Sequence, residues 1–327
     1  MPLTADRIAS LPAIMSPEQR RRASAEMVRR LIDETKMPRN QVAAAAGLTN
    51  TYIRDLEQGN IANVSREKLI QFAVALNLNL TRIDELLKVF DRASLSSDDI
   101  PLFLNAALQG RSTTALYPLR DFYAYELVVY CLECIPGDQV MVNDRPTVSL
   151  RSPGHRTFSD SSLVKAHPLY AELVETIGRV RRAQLEKNLE RFRIVHYICR
   201  QCLEDYVLHS GDPTEERWRK EHIQNLLEYL GRYPNLEVHL TGVCCYMLFS
   251  IKEPRDGSPI QFNFCAKPGH YIPGDRPRRL SGFSTTNPVI LQTFREELES
   301  IKGWTLEEFE DRSRLESYLE ELIGRRS

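Results

Sequence analysis

Asn50, Thr51, Tyr52, Arg54, Asp55 and Gln58 crowd hydrogen-bonding side chains into nine residues, within the stretch PRNQVAAAAGLTNTYIRDLEQG that runs from 38 to 59. Groups of this kind read base edges and phosphates: an asparagine amide pairs in bidentate fashion with adenine, and a carboxylate accepts from the cytosine amino group. The chemistry implied is recognition of a duplex rather than bond making.

The surrounding residues supply the elements that must position them. Val42, Ala43 and Ala46 give a first short helix a small apolar face, so that a second helix can approach closely. Gly47 follows where the chain must turn sharply, and glycine takes a positive φ there at no steric cost. Leu48 plugs the turn, and Thr49 or Asn50 caps the second helix. Ile53 and Leu56 are three apart and point to a core, which leaves the polar set outside. This is the layout of a helix-turn-helix, with its second helix offered to the major groove.

With glycine, cap, spacing and core positions in agreement, residues 16 to 90 resemble the Cro/phage-repressor-like (XRE) helix-turn-helix family. The resemblance implies five helices. Ser16-Pro17-Glu18-Gln19 signals the first, running to about Lys36 with Met27, Val28, Leu31 and Ile32 inward. Glu57-Gln58-Gly59 followed by Asn60 closes the recognition helix. Ser65 caps a fourth helix, and Thr81 with Asp84 starts a fifth with Ile83, Leu86 and Leu87 inward. The resemblance implies double-stranded DNA as partner and contacts from Arg39, Asn50, Thr51, Tyr52, Arg54, Asp55, Gln58 and Asn60. Arg39 either binds phosphate or braces Asn50; Asp55 either meets a cytosine or orients Arg54. The target sequence stays open, because Asp55 departs from the glutamine or small residue frequent there in the family.

Residues 1 to 90 hold 13 Lys and Arg against 10 Asp and Glu, a net of +3, and the remainder is acidic by four. So mild a charge does not hold DNA indiscriminately through phosphates, and the expectation is two copies on a two-part operator site, as a homodimer or higher homo-oligomer.

A second polar group, Arg276, Arg278 and Arg279 followed by Ser284, Thr285 and Thr286, precedes a helix signal at Asn287-Pro288. Arginines and hydroxyls at a helix N-terminus suit a small anionic effector, while the bland alternative is a surface loop that only caps the helix. Seven cysteines include two pairs at two-residue spacing, Cys131/Cys134 and Cys199/Cys202. Two such pairs can ligate one zinc or form a redox switch, and alternatively are buried small hydrophobes. Cys244, Cys245 and Cys265 fall in predicted strands. No cofactor is expected.

At 327 residues, with 42% hydrophobic and 27% charged residues, the chain suits several globular domains. Arg20, Arg21 and Arg22 interrupt any early apolar signal, and the most apolar stretch, 243 to 251, fits a buried strand; a cytoplasmic protein with no membrane partner is expected. The expected division is a helix-turn-helix domain over 1–90, a linker and short helix over 91–110, a mixed α/β sensor and dimerisation domain over 111–303, and an amphipathic helix over 304–327. Within the third, 192–198, 236–242, 244–251 and 259–266 read as strands, with shorter ones expected at 140–144 and 147–150. Helices are expected over 169–189, 212–232 and from Asn287, and Thr305 with Glu308 is expected to start the last. The basic run Arg179, Arg181, Arg182 reads as a solvated face.

The order strand, helix, strand, strand, strand, helix over 110–302 resembles half of a phospholipase D-like domain, which implies a sensing role. That family's catalytic His-x-Lys does not occur at His239 or His270, so the resemblance implies binding without turnover. No P-loop and no Gly-x-Ser-x-Gly occurs either. The expectation is a transcriptional regulator, more a repressor than an activator, and not an enzyme. Its rivals are an enzyme fused to a DNA-targeting module and a helix-turn-helix protein scaffold.

Overall fold

A computed structural model describes residues 16–35, 37–61, 63–109, 117–119, 122–159, 167–210, 212–245, 247–257, 261–266 and 282–325. The first five helices are α1 (Pro17–Thr35), α2 (Arg39–Ala45), α3 (Asn50–Gln58), α4 (Arg66–Ala75) and α5 (Leu80–Val89). Ser16 and Gln19 form the expected reciprocal cap: Gln19 N–H donates to Ser16 Oγ at 3.2 Å and Ser16 N–H to Gln19 Oε1 at 2.9 Å. Ser65 caps α4 by accepting from the Lys68 N–H. The cap of α5 is Asn79, which accepts from Arg82 N–H at 2.9 Å, rather than Thr81. An Asn carboxamide two positions earlier satisfies the same orphan donors, so the helix gains a turn's start.

The expected linker carries fixed structure. Arg66 donates to Asp99 Oδ1 and Oδ2, at 2.9 and 2.5 Å, and to the carbonyls of Ala93 and Ser94. Burial opposes ionisation of Asp99, yet the hydrogen bonds from Arg66 and Ser96 outweigh it and hold the carboxyl below its usual range. Helix α6 (Ile100–Gln109) then packs against α4, burying Ile100, Phe103 and Ala106 in the same core as α1 to α5.

The remaining helices are α7 (Phe122–Glu133), α8 (Pro153–Ser159), α9 (Tyr170–Leu189), α10 (Arg200–Leu208), α11 (Pro213–Arg232), α12 (Pro288–Lys302) and α13 (Arg312–Gly324). The strands are β1 (Tyr117–Leu119), β2 (Gly137–Asn143), β3 (Ile194–Cys199), β4 (Leu236–Thr241), β5 (Met247–Pro254), β6 (Gln261–Ala266) and β7 (Gly282–Thr285). They form one mixed sheet in the order β1-β7-β6-β5-β2-β3-β4. Strands β2, β3 and β4 run parallel, which obliges helical crossovers; β5, β6, β7 and β1 continue antiparallel. One face of the sheet buries Met141, Ile194, Ile198 and Leu240 under α9, α10, α11 and α13; the other buries Val142 and Val195, with Phe249 and Ile251 of β5, under α12.

Several sequence expectations change here. Residues 148–150 form a 3-10 turn instead of a strand, because Leu150 and Ser149 are buried while their backbone serves side chains: Arg182 donates to the carbonyls of Ser149, Leu150 and Arg151. Cys244 and Cys245 precede β5, whose pairing begins at Met247. The last helix starts at Arg312, capped by Asp311, and Glu307–Phe309 form a separate 3-10 turn. The run 179–182 is not one solvated face: Arg179 is exposed, but Arg181 is buried and grips Glu126 and Glu133.

Helix α9 links the two halves of the molecule. Its first turns, through Tyr170, Leu173, Val174 and Ile177, complete the core of the five-helix unit, and its last, through Leu185 and Leu189, belong to the sheet's core. Polar contacts brace the junction. His167 Nε2 lies 3.0 Å from Asp84 Oδ2, and Ser97 Oγ donates to Glu172. No helix of the described residues is long and apolar enough to cross a membrane.

Candidate nucleic-acid interface

Helices α2 and α3 meet across Gly47, whose φ of 62° makes the turn. Val42, Ala43, Ala45 and Ala46 are buried, as the small-residue face requires. Thr49, not Asn50, caps α3, its Oγ1 accepting from Tyr52 N–H at 3.1 Å; Asn50 is thereby freed as the first exposed residue of the helix. Ile53 and Leu56 are buried beneath it. Gly59 ends the helix in the left-handed region, φ 72°, close against α1 at Arg21 and Ala25.

Asn50, Thr51, Arg54 and Gln58 line one side of a groove of about 990 Å³, and Pro38, Arg39, Asn40, Glu57 and Arg29 line the rest. Arg54 is exposed and without an ion-pair partner among the described residues. Sequence reasoning missed Arg29 and Asn40. Asn40 stands beside the exposed Arg39 at the start of α2, a signal that was available; Arg29 comes from α1, and only the packing of α1 on α3 brings it near.

Three of the expected contact residues also have partners within the chain. Arg39 Nε donates to Glu57 Oε2 at 2.6 Å, with Glu57 7% exposed, so Arg39 braces Glu57 and not Asn50. The bond and the charge of Glu57 raise the guanidinium pKa further, and the 61% exposed group keeps a face for phosphate. Asp55 does not orient Arg54: it is half-buried and accepts from Asn60 Nδ2 at 3.4 Å, while that amide also donates to Gln58 at 2.9 Å. Asp55, Gln58 and Asn60 therefore form a local cluster closing the helix. Tyr52 is half-buried under Lys68, whose Nζ lies 4.4 Å from its ring centre, and burial raises its phenol pKa. Its contact with the core makes it a support for the helix.

The expected effector group divides. Arg276, Arg278 and Arg279 lie outside the described residues. Ser284 and Thr285 belong to β7, with Ser284 paired to Asn263, so they are strand and not loop. Thr285 is buried and its hydroxyl accepts from Asn287 N–H at 3.1 Å. Asn287 itself accepts from Val289 and Ile290 N–H, taking the donors an anion at that helix start would use. Thr286 follows, its hydroxyl buried without a hydrogen-bond partner.

A different basic cluster lies beyond the ends of β2 and β3. Arg145 and Arg219 stack over Tyr206, at 5.1 and 5.0 Å from its ring centre. Tyr206 Oη lies 2.9 Å from His222 Nδ1, and the His155 ring packs edge-on against His222. Burial first, then the positive charges of Arg151, Arg219 and Arg145, hold His155 down to about 3. Arg151 Nε, His155 Nδ1 and Arg156 Nε are buried without a hydrogen-bond partner.

The cysteines regroup as well. Cys131 is buried within α7 and Cys134 follows that helix; neither joins the second pair. Cys199 and Cys202 meet Cys244 instead, with the three sulfurs within 4.8 Å of one another. A hydrogen bond with the Cys202 side chain lowers the Cys199 thiol pKa against the opposing effect of burial.

Residues 28–83 match the Helix-turn-helix family model. That match spans α2 to α4 whole, the second part of α1 and the start of α5, and it supports a DNA-binding regulator of the XRE kind. It gives no support to the phospholipase D-like likeness of the C-terminal region. No curated protein and no solved structure matches the chain.

Proposed function

We propose that the protein is a sequence-specific transcriptional regulator, acting as a repressor, that docks α3 in the major groove as a homodimer. The observation that carries this reading is the groove in which Asn50, Thr51, Arg54 and Gln58 stand exposed beside Arg29 and Arg39, on a scaffold whose core, caps and turn glycine are complete. Asn50 and Arg54 read bases; Arg29, Arg39 and Asn40 engage phosphates. The mild charge of the domain supports two copies on a two-part site. The C-terminal region binds rather than transforms, and an anionic effector fits the arginines beyond β2 and β3, where ligands of parallel sheets commonly sit. Helix α9, shared by both cores, supports coupling between that region and the DNA-binding helices.

Selection of genomic fragments by the purified protein, washed at about 150 mM salt to remove non-specific phosphate binding, tests the proposal. An enriched inverted repeat is the expected result, and its half-site spacing reports the dimer. Fragments enriched without a shared sequence would overturn it.

A further inference from the structure

We propose that Cys199, Cys202 and Cys244 form a binding site for one thiophilic divalent cation of the zinc and cadmium type. Their three sulfurs lie within 4.8 Å of one another, and those of Cys202 and Cys244 are 3.4 Å apart. Thiolates about 2.3 Å from a tetrahedral ion stand about 3.8 Å from each other, a spacing that small side-chain shifts within this cluster reach.

The fold brings the ligands from two separate segments. Cys199 is the last residue of β3 and the cap of α10, with its sulfur accepting from Cys202 N–H at 3.5 Å. Cys202 lies in the first turn of that helix, three residues on and therefore on the same side. Cys244 comes from the loop between β4 and β5. The start of that loop is fixed: Gly242 N–H donates to Trp304 O at 2.9 Å, Leu306 N–H donates to Leu240 O at the end of β4 at 2.8 Å, and Thr241 Oγ1 donates to Val243 O at 3.0 Å. The ion would fasten this loop to the start of α10.

Accessibility fits as well. Cys199 is buried, whereas Cys202 and Cys244 are half-buried, so an ion reaches the sulfurs from solvent. The helix N-terminus favours thiolate, and the Arg145 guanidinium interacts with Cys202, offsetting negative charge. On binding, each thiol releases its proton to solvent as its sulfur joins the ion, so up to three protons leave per ion and affinity rises with pH. Three protein ligands leave a fourth position for water or an exogenous ligand. The proposal rests on the sheet's geometry and is independent of the DNA reading.

The test uses the full chain, reduced and stripped of metal with a chelator, then titrated with Cd²⁺ and read by the thiolate-to-cadmium ultraviolet absorption. One equivalent per chain should saturate the signal. Cys244→Ser should weaken binding at least about 100-fold, at or beyond the range seen for ligand-shell changes, while Cys131→Ser leaves it intact. Mass-spectrometric alkylation of the wild-type protein gives a reading that no variant's folding can disturb: one equivalent of Cd²⁺ should slow modification of Cys202 and Cys244 but not of Cys134. No saturable absorption, full-strength binding by a folded Cys244→Ser chain, or unprotected Cys202 and Cys244 would each overturn the site.

Discussion

Arg181→Met should be among the most damaging single changes in the chain, although it lies on a helix with an exposed basic neighbour. The Arg181 side chain is 3% exposed, and those of its partners Glu126 and Glu133 are 7% and 4% exposed. Its Nε and Nη2 each donate to Glu133 at 2.9 Å and its Nη1 donates to Glu126, so one guanidinium neutralises two carboxylates of α7. Methionine keeps the length and removes the charge. Breaking a buried pair by removing one partner costs about 3–5 kcal/mol. Two stranded carboxylates argue for the top of that range; Lys252, whose charge Glu133 attracts, argues against it, so about 4 kcal/mol is expected. With a urea slope of about 2–3 kcal/mol/M, the midpoint should fall by about 1.3–2 M. The assay is urea unfolding of the full chain followed by circular dichroism at neutral pH. Arg179→Ala, two residues away and exposed, should stay within about 0.5 kcal/mol. Adding Glu126→Gln and Glu133→Gln to Arg181→Met should restore most of the loss, since the penalty belongs to the unpaired charges. A loss below about 1 kcal/mol for the single variant would refute the reasoning, because it would mean the carboxylates are solvated or matched by another cation.

Gly59→Ala should destabilise the helix-turn-helix unit. The left-handed conformation costs an L-residue about 1–2 kcal/mol, and the new Cβ would meet Arg21 Cγ at 3.2 Å and Arg21 O at 3.3 Å. Gly231→Ala in α11, with no heavy atom within 4 Å of its Cβ, should instead stabilise by about 0.5–1 kcal/mol; thermal melting of both variants checks the pair, and equal shifts would contradict the account. Burial holds His196 down to about 4, and neither ring nitrogen has a hydrogen-bond partner. Because the folded value lies below the unfolded one of about 6.5, the unfolded chain takes up the proton first and stability falls as pH drops from about 6.5 to 4, at about 1.4 kcal/mol per unit for this residue. Urea unfolding at several pH values should show His196→Leu with a shallower acid slope; an unchanged slope would mean that the fold accepts the proton.

The helix-turn-helix was legible because its signals are local. Gly47 and Gly59 require left-handed backbone, Ser16 and Ser65 cap, and the core spacing repeats within single helices. The strands β3 and β4 and the helices α9, α11 and α12 were legible for the same reason: each carries its own periodicity, and α11 and α12 also carry start signals at Asp212 and Asn287. What the sequence concealed depends on meetings across the chain. Arg181 reads as one of three basic residues until α7 is laid against α9. Arg39 finds Glu57 eighteen residues away and not Asn50, and Asp55 finds Asn60 and not Arg54. The cysteine pairs suggested their own partnership, but the parallel sheet sets Cys199 and Cys202 beside the loop of Cys244 instead. Residues 148–150 have the composition of a strand but form a 3-10 turn, whose Ser149 and Leu150 carbonyls, with that of Arg151 just after it, accept from Arg182.

The central claim is that the exposed face of α3 reads DNA bases. The measurement that tests it most directly is the affinity of Asn50→Ala and Arg54→Ala for the sequence that the wild-type protein selects, at fixed salt, with unfolding curves to show that each variant is folded. Each lost base contact is worth about 1–3 kcal/mol, so each variant should bind that sequence about 5- to 150-fold more weakly and lose preference over random DNA. Folded variants that bind with wild-type affinity and specificity would contradict the claim.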